Sequence, residues 1–198
     1  NGVWSKPINL GYPINTQNRE ISLSVSSNGT TAYFSSDRDK TLGDLDIYSF
    51  ELPPAVQAEQ VTWVNAIVTD AKTKQPLKAS VQLMNIATGE IVASSNSDPK
   101  TGEFLIVLPS GNDYGLFVQR EGYLFHSENF SLKNVMPDAP YLIKVGLQPI
   151  NAGEILTLKN IFFETASAEI LGVSEPELNK VVELIKKNPN MKIKVNGH

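Results

Sequence analysis

Four carboxylates in the first quarter of the chain are close enough together in sequence to suggest a cation site. Asp37, Asp39, Asp44 and Asp46 offer the oxygen ligands that Ca²⁺ prefers. Their spacing does not fit an EF-hand loop, which needs a glycine in its middle and a glutamate at its end. The alternative is a turn in which aspartate side chains accept backbone N–H groups. We favour the turn and predict no metal site, and the calcium interpretation stays open at this stage.

Groups that act as nucleophiles, general bases or zinc ligands are scarce. The chain has two histidines, His126 and His198, far apart in sequence, and no cysteine. A three-histidine zinc site and thiol catalysis are therefore impossible, and no G-x-S-x-G motif marks a serine nucleophile. We predict no catalytic residue, no metal and no cofactor, and we expect His126 to be a partly exposed residue at a strand edge. Four aromatic residues are interpreted as core and rim residues rather than as a ligand platform: Tyr114, Phe117, Tyr123 and Phe125.

The composition of the 198 residues is that of a soluble globular chain. Hydrophobic residues make up 41% and charged residues 19%, with a net charge of −4. This charge gives no support for binding to nucleic acid, and no apolar run is long enough for a transmembrane segment. The first residue is asparagine rather than methionine, so we expect a processed product or a fragment.

Residues 1–54 predict a small β-rich unit. Strands are expected at residues 20–26, 31–38 and 46–50, and Asn28-Gly29 is a hairpin turn signal. The runs S-S-N-G-T-T-A-Y-F-S-S-D-R and G-D-L-D-I-Y resemble one blade of the WD-like propeller of TolB-type proteins. The resemblance implies that this is the last blade of a propeller, because such repeats are stabilised by stacking on neighbours.

Residues 55–150 predict a small antiparallel β-sandwich, after a polar linker at residues 55–60. Apolar residues alternate with polar ones in short runs, and Gly89, Gly102 and Gly111 stand at the turns between them. This pattern is similar to the carboxypeptidase regulatory-like domain, a transthyretin-like sandwich that implies no catalysis of its own. The likeness is carried by Val68-Thr69-Asp70, Thr73, Gln75-Pro76-Leu77, Ala79-Ser80-Val81, Thr88-Gly89, Ser97-Asp98, Thr101-Gly102-Glu103-Phe104, Gly111, Tyr114 and Gly122-Tyr123.

In residues 151–198 the spacing of apolar residues changes. It predicts a helix between two strands. The first strand is expected to end at Phe163. The helix should begin with Ser174 as its N-cap and Glu177 completing a capping box, because Ser-x-x-Glu satisfies two free N–H groups reciprocally. Its apolar face should comprise Leu178, Val181, Val182 and Ile185, and residues 191–195 should form a second strand. The result is a β-α-β unit with parallel strands.

The same residues resemble the beginning of the OmpA-like C-terminal domain, a family that binds the diaminopimelate-bearing peptide of peptidoglycan. The likeness is carried by N-I-F-F-E-T-A-S-A-E-I-L and S-E-P-E-L-N-K-V-V-E-L-I-K-K-N-P-N-M-K-I-K-V-N-G-H. It implies a truncated α/β unit whose ligand site lies beyond the carboxyl ends of its strands. On this chain those ends carry Phe163, Glu164, Thr165, Ala166 and His198. The aspartate and arginine that bind the ligand in the family would lie beyond His198.

Together the three resemblances imply a mainly β, multidomain member of the OmpA-family envelope proteins of the Bacteroidota. The implied role is a periplasmic, outer-membrane-associated, non-enzymatic adaptor, and the resemblance includes lipoproteins of the type 9 secretion machinery. Its partners would be peptidoglycan, in the full-length parent, and other envelope or secretion-system proteins. One alternative is a carbohydrate- or protein-binding accessory module of a cell-surface protein, which predicts an exposed aromatic patch on the sandwich. The other is part of an enzyme, which predicts a pocket with clustered titratable groups of perturbed pKa.

Overall fold

A computed structural model describes residues 6–38, 43–135 and 140–196 of the chain. The described residues form ten β-strands, one α-helix and two short 3₁₀ turns, so the chain is mainly β as predicted. The chain divides into two compact units, Asn1–Val61 and Thr62–His198. Each unit is described separately below.

The first unit is a three-stranded antiparallel meander of β1 (Glu20–Val25), β2 (Thr31–Ser36) and β3 (Asp46–Glu51). These strands and the hairpin turn at Gly29, whose φ is 76°, agree with the sequence prediction. Phe34 stacks on Tyr48 with ring centroids 5.7 Å apart, and the Arg38 guanidinium lies over both rings. A propeller blade has four strands, and within the described residues this sheet has three.

Residues 55–60, the predicted polar linker, make backbone hydrogen bonds to the first unit. A 3₁₀ turn at Pro54–Val56 leads into a segment where the Ala58 amide donates to Gly29 O at 3.1 Å. The Val61 amide donates to Ser27 O at 2.9 Å, which ties the segment to the β1–β2 hairpin. Polar composition does not reveal such bonds. The division between the units follows this segment, at Val61.

The second unit contains a β-sandwich of two sheets. The β4 sheet has the strand order β10–β4–β7, and the β5 sheet has the order β6–β5–β8–β9. The strands are β4 (Val61–Asp70), β5 (Ser80–Asn85), β6 (Ile91–Asn96), β7 (Glu103–Pro109), β8 (Asp113–Gln119), β9 (His126–Ser131) and β10 (Tyr141–Leu147). The core between the sheets is apolar and follows the predicted alternation, for example at Val81, Leu83, Phe104, Ile106 and Leu108.

One pairing departs from the antiparallel prediction. Strands β4 and β10 are parallel neighbours, in register from Tyr141 opposite Val64 to Leu147 opposite Asp70. Parallel neighbours need a long connection, and here the whole remainder of the sandwich supplies it between the first strand and the last. Alternation in sequence predicts that a strand has one buried face, but it does not predict the direction of the partner strand.

Of the predicted β-α-β unit, the structure contains the helix. Helix α1 (Glu175–Lys187) follows a 3₁₀ turn at Gly172–Ser174. Across the described residues 154–163 and 190–196 no strand is formed, so the predicted flanking strands are incorrect for this chain. Some apolar side chains expected in them are exposed, namely Phe163, Ile193 and Val195. The physical reason is that two parallel strands by themselves cannot cover their faces, and isolated strand pairs are marginal in water.

Candidate functional site

Four of the five predicted peptidoglycan-binding residues lie in a closed loop that precedes helix α1. The Leu171 amide donates to Phe162 O at 2.9 Å, and the Glu164 amide donates to Glu169 O at 3.0 Å. Phe163 pairs with Ile170 as an isolated antiparallel bridge between these bonds. We call residues 162–171 the hairpin loop, because its two legs are held together by backbone hydrogen bonds at their ends.

The hairpin loop presents its predicted site residues to solvent. Phe163 is 52% exposed, and Glu164, Thr165 and Ala166 at the tip are exposed as well. Ala166 has a φ of 55°, which a non-glycine residue adopts mainly in tight turns. The fifth predicted residue, His198, lies outside the described residues. The loop therefore offers two exposed carboxylates, Glu164 and Glu169, and one half-exposed aromatic ring.

The predicted capping box of helix α1 does not form. Neither Ser174 nor Glu177 makes a side-chain hydrogen bond to the helix N-terminus. Instead Ser174 Oγ accepts from the Phe162 amide at 2.8 Å and donates to Phe162 O at 3.2 Å. These bonds hold the base of the hairpin loop against the start of the helix. The sequence motif was present, but the side chains serve a neighbouring segment rather than their own helix.

Glu177 is a fully buried carboxylate, and its partners are two backbone amides. Glu177 Oε1 accepts from the Lys159 amide at 3.0 Å and Oε2 from the Asn160 amide at 2.5 Å. A buried carboxylate is tolerated only where hydrogen bonds replace its water shell. Glu177 thereby joins helix α1 to the extended chain before the hairpin loop.

Asn160 continues this connection into the sandwich. Its Nδ2 donates to Ser127 Oγ at 2.9 Å and to the Glu128 carbonyl at 3.3 Å, both on strand β9. Asn129 Nδ2 on the same strand donates to the Lys159 carbonyl at 2.8 Å. The Oδ1 atom of Asn160 is buried and has no hydrogen-bond partner. The segment before the hairpin loop is thus fastened to β9 through side chains.

Helix α1 turns a partly polar face towards the sandwich. Lys180 Nζ donates to Gln82 Oε1 on β5 at 2.5 Å and to Gln119 Oε1 on β8 at 3.3 Å. Burial lowers the pKa of Lys180, because desolvation disfavours the charged ammonium group. Two residues of the predicted apolar face point to solvent instead, Leu178 at 36% and Val182 at 45% exposed. The apolar face that the sequence indicates is therefore exposed at these two residues.

Beneath this helix the outer face of the β5 sheet is apolar at its centre. Met84 and Phe117 are fully buried, yet neither belongs to the core between the two sheets. Their position follows from the period of two, which places them on the face opposite Leu83 and Leu116. A Cβ atom on Gly115 would lie 3.0 Å from Asn160 Oδ1 and 3.3 Å from Met84 Cε. Residues 151–196, which we call the C-terminal segment, thus form a third layer over this sheet.

Several other polar groups of the second unit have structural partners. His126 is the first residue of the edge strand β9 and is partly exposed, as predicted, with Nε2 2.9 Å from Glu128 Oε2. The pKa of Asp70 is lowered mainly because the Thr73 amide donates to its carboxylate. The second cause is the Tyr123 hydroxyl, which donates to it at 2.9 Å. The bond to Asp70 raises the pKa of Tyr123. Tyr114, Phe117 and Phe125 are buried and Tyr123 is half-buried, which confirms their interpretation as core and rim residues.

The aspartates near the start of the chain accept hydrogen bonds from Arg19. Asp37 Oδ1 accepts from the Arg19 amide at 2.9 Å, and Asp44 Oδ1 accepts from Arg19 Nη2 at 3.2 Å. Asp39 lies outside the described residues. Among the residues that are described, no three His, Cys, Asp or Glu side chains form a group that fits a metal ion. The Asp37 bond is to a backbone amide, as the turn interpretation expects, whereas the Asp44 bond is to a guanidinium.

Two shallow clefts border the C-terminal segment. One of about 260 Å³ lies between Gly89 and the start of helix α1, lined by Val173 and Asn179 among others. The other, of about 230 Å³, lies between His126, Leu147 and residues 155–159. Neither of these two clefts includes the hairpin loop residues Phe163 to Ala166. No helix in the described ranges is long and apolar enough to cross a membrane.

Sequence reasoning missed the role of three side chains that help to hold the C-terminal segment in place: Ser127, Asn160 and Glu177. Glu177 had been singled out, but for a different bond. Asn160 carried a usable signal, because it is a polar residue inside the apolar run Leu158-Lys159-Asn160-Ile161-Phe162-Phe163. A polar residue in such a run is buried only when its hydrogen bonds are met. Ser127 carried no comparable signal.

Comparison with known proteins finds neither a matching family model nor a matching curated protein. Among solved structures, S.CueP is 14% identical with a TM-score of 0.35, over 63% of this chain and 78% of that chain. The C-terminal domain of the shaft pilin SpaA from Lactobacillus rhamnosus GG is 14% identical with a TM-score of 0.35, over 46% and 100%. The group B streptococcus pilus 2b backbone protein is 14% identical with a TM-score of 0.39, over 61% and 50%. At these identities and TM-scores, no argument rests on the likenesses.

Proposed function

We propose that this chain is part of a non-enzymatic, periplasmic adaptor that ties an outer-membrane-associated assembly to peptidoglycan through its OmpA-like segment. The observation that carries the proposal is the presentation of the hairpin loop. Phe163 to Ala166 are exposed, while Phe162 is bound to Ser174 and the preceding residues are bound to Glu177. A recognition loop on a rigid base loses little conformational entropy on binding.

The chemistry of the loop suits one part of the proposed ligand. Diaminopimelate carries an ammonium group, and a carboxylate such as Glu164 pairs with an ammonium through a charge-assisted hydrogen bond. The main ligand-binding aspartate and arginine of OmpA-like domains have no counterpart that the resemblance identifies within residues 1–198. We therefore expect weak binding by residues 1–198 and strong binding by a protein that carries the complete domain.

The partner side of the adaptor has a candidate surface on the sandwich. Alternate residues of β4, β7 and β10 point away from the core, and Leu105 and Leu142 among them are 58% and 69% exposed. Ile67 and Val107 lie on the same outer face of the β4 sheet. Exposed apolar patches on soluble proteins commonly mark protein interaction sites. This aliphatic face supports binding to other envelope or secretion-system proteins.

The accessory-module alternative receives less support in its carbohydrate-binding form. It predicts an exposed aromatic patch on the sandwich, but Phe104, Tyr114, Phe117, Phe125 and Phe130 are buried. Its protein-binding form is compatible with the same aliphatic face. An enzymatic function receives no support from the carboxylates of lowered pKa, because local hydrogen bonds at Glu20, Asp70, Asp98 and Asp113 account for each shift.

The test is co-sedimentation with purified peptidoglycan sacculi. Residues 1–198 should remain largely in the supernatant, whereas a longer protein that carries a complete OmpA-like domain should sediment. In that longer protein, Glu164→Gln should weaken binding by about tenfold, the effect of losing one charge-assisted hydrogen bond. Glu169→Gln, on the opposite leg of the hairpin loop, is the matched control and should bind normally. If the longer protein stays in the supernatant, the anchoring function is wrong.

A further inference from the structure

We infer that the C-terminal segment is a separately opening layer, latched onto the sandwich by Glu177. The two sheets of the sandwich are built from backbone ladders around an apolar core. The third layer is attached differently. In the described part of the chain, each hydrogen bond recorded between residues 151–196 and the sandwich uses at least one side chain. This inference does not depend on peptidoglycan binding.

Glu177 is the central group of this attachment because it connects three segments at once. It lies on helix α1, its carboxylate accepts the amides of Lys159 and Asn160, and the Asn160 side chain bonds to Ser127 and Glu128 of β9. Removing the carboxylate leaves the buried Asn160 amide without its acceptor, and it leaves the Lys159 amide with only the 3.3 Å bond to Ser127 Oγ. The helix and the extended chain then lose their common anchor, while the ladders of the sandwich are untouched.

The exposure pattern also favours separate opening. The segment contributes several exposed apolar side chains, among them Ile155, Phe163 and Val182, so a large part of its own apolar area is already in water. Opening costs chiefly the burial of Met84 and Phe117 on the outer face of the β5 sheet. Regions with little buried apolar area open at lower free energy than a packed core, and they do so as cooperative units.

Hydrogen–deuterium exchange of the whole chain tests the latch. In the unaltered protein, amides of residues 158–187 should exchange faster than those of β5 and β8. Their protection factors should be similar to one another, because the segment opens as one unit. In Glu177→Gln and Glu177→Ala, exchange at Lys159, Asn160 and helix α1 should rise by about tenfold or more, the effect of unpaired buried donors. Exchange within β5 and β8 should stay within about twofold of the unaltered protein, since global stability is untouched.

Two further variants make the result decisive. Glu175→Gln is the matched control, because Glu175 is also in the first turn of α1 and its loss removes the same favourable interaction with the helix dipole. It should leave exchange at Lys159 and Asn160 unchanged. Ser127→Ala weakens the latch from the sandwich side and serves if Glu177→Ala does not fold. The inference is overturned if the sandwich exchanges together with the segment, or if the Glu177 and Ser127 variants leave the segment as protected as before.

Discussion

The β5 sheet is covered on both faces, and the contacts on the two faces are of different kinds. Its inner face packs on the β4 sheet through aliphatic and aromatic side chains, including Leu83, Leu116 and Val118. Its outer face packs under the C-terminal segment, where Met84 and Phe117 share the interface with Gln82 and Asn160. One sheet therefore contributes to an apolar core on one side and to a mixed, hydrogen-bonded interface on the other.

The comparison shows that burial alone does not describe how a layer is held. The inner core gains stability in proportion to apolar area removed from water, and this gain depends little on any single bond. The outer interface depends on a few hydrogen bonds at Glu177, Asn160 and Lys180, and each has a large effect when one partner is removed. The inner core should therefore determine global stability, and the outer interface should determine the position of the C-terminal segment.

The largest effect is expected on the inner side. Leu116→Ala should lower the free energy of unfolding by about 2–5 kcal/mol, because it removes a fully buried side chain and leaves a cavity. Leu105→Ala, on the exposed face of β7, is the control and should change it by about 0.5 kcal/mol or less. Chemical denaturation monitored by circular dichroism measures both. Equal losses for the two variants would contradict the assigned inner core.

A smaller effect is expected on the outer side of the same strand. Gly115→Ala places a methyl group 3.0 Å from Asn160 Oδ1, which forces the neighbouring groups apart. Overpacking of this kind costs about 1–3 kcal/mol, and here the loss should appear first as faster amide exchange in residues 158–187. Gly146→Ala is a suitable control, because a methyl group there meets only ordinary contacts at 3.5 Å. If Gly115→Ala destabilises β5 and β8 before the C-terminal segment, the two interfaces are not separable.

The smallest effect is expected in the loss of stability at low pH, and it concerns Asp98 in a turn of the sandwich. The amides of Thr101 and Lys100 donate to Asp98 and hold its pKa below the ordinary value of 3.8. A lowered pKa in the folded state means that the stabilisation is complete above pH 3.8 and is lost as the pH falls towards the lower, folded-state pKa. Thermal unfolding between pH 5 and pH 2 should therefore show a smaller acid-induced decrease in midpoint for Asp98→Asn than for the unaltered chain. An identical decrease would show that Asp98 does not contribute to the pH dependence of stability.

Much of the fold follows from local sequence features. The strands of both units agree with the alternation of apolar residues, and Gly29, Gly89, Gly102 and Gly111 have the positive φ that their turns require. Gly102 is constrained twice, because a Cβ atom there would also lie 2.3 Å from Val68 O. Such features are predictable since they depend on neighbours in sequence and on one buried face.

The candidate site was predicted less completely. The hairpin loop residues Phe163 to Ala166 were identified by resemblance, and the structure adds that they form an exposed, closed loop. The orientation of helix α1 was not predicted, because an apolar stripe indicates which residues share a face and not which neighbour that face meets. At this interface the buried face carries Glu177 and Lys180, so a search for apolar residues could not find it.

Sequence alone decided the mainly β class, the turns, the inner core and the existence of helix α1, because each depends on local periodicity and backbone preference. Only the tertiary structure decided the parallel pairing of β4 with β10 and the use of Glu177 as an anchor rather than a cap. Both depend on contacts between residues distant in the chain, and a carboxylate has the same local signature whether it caps its own helix or accepts hydrogen bonds from a neighbouring segment.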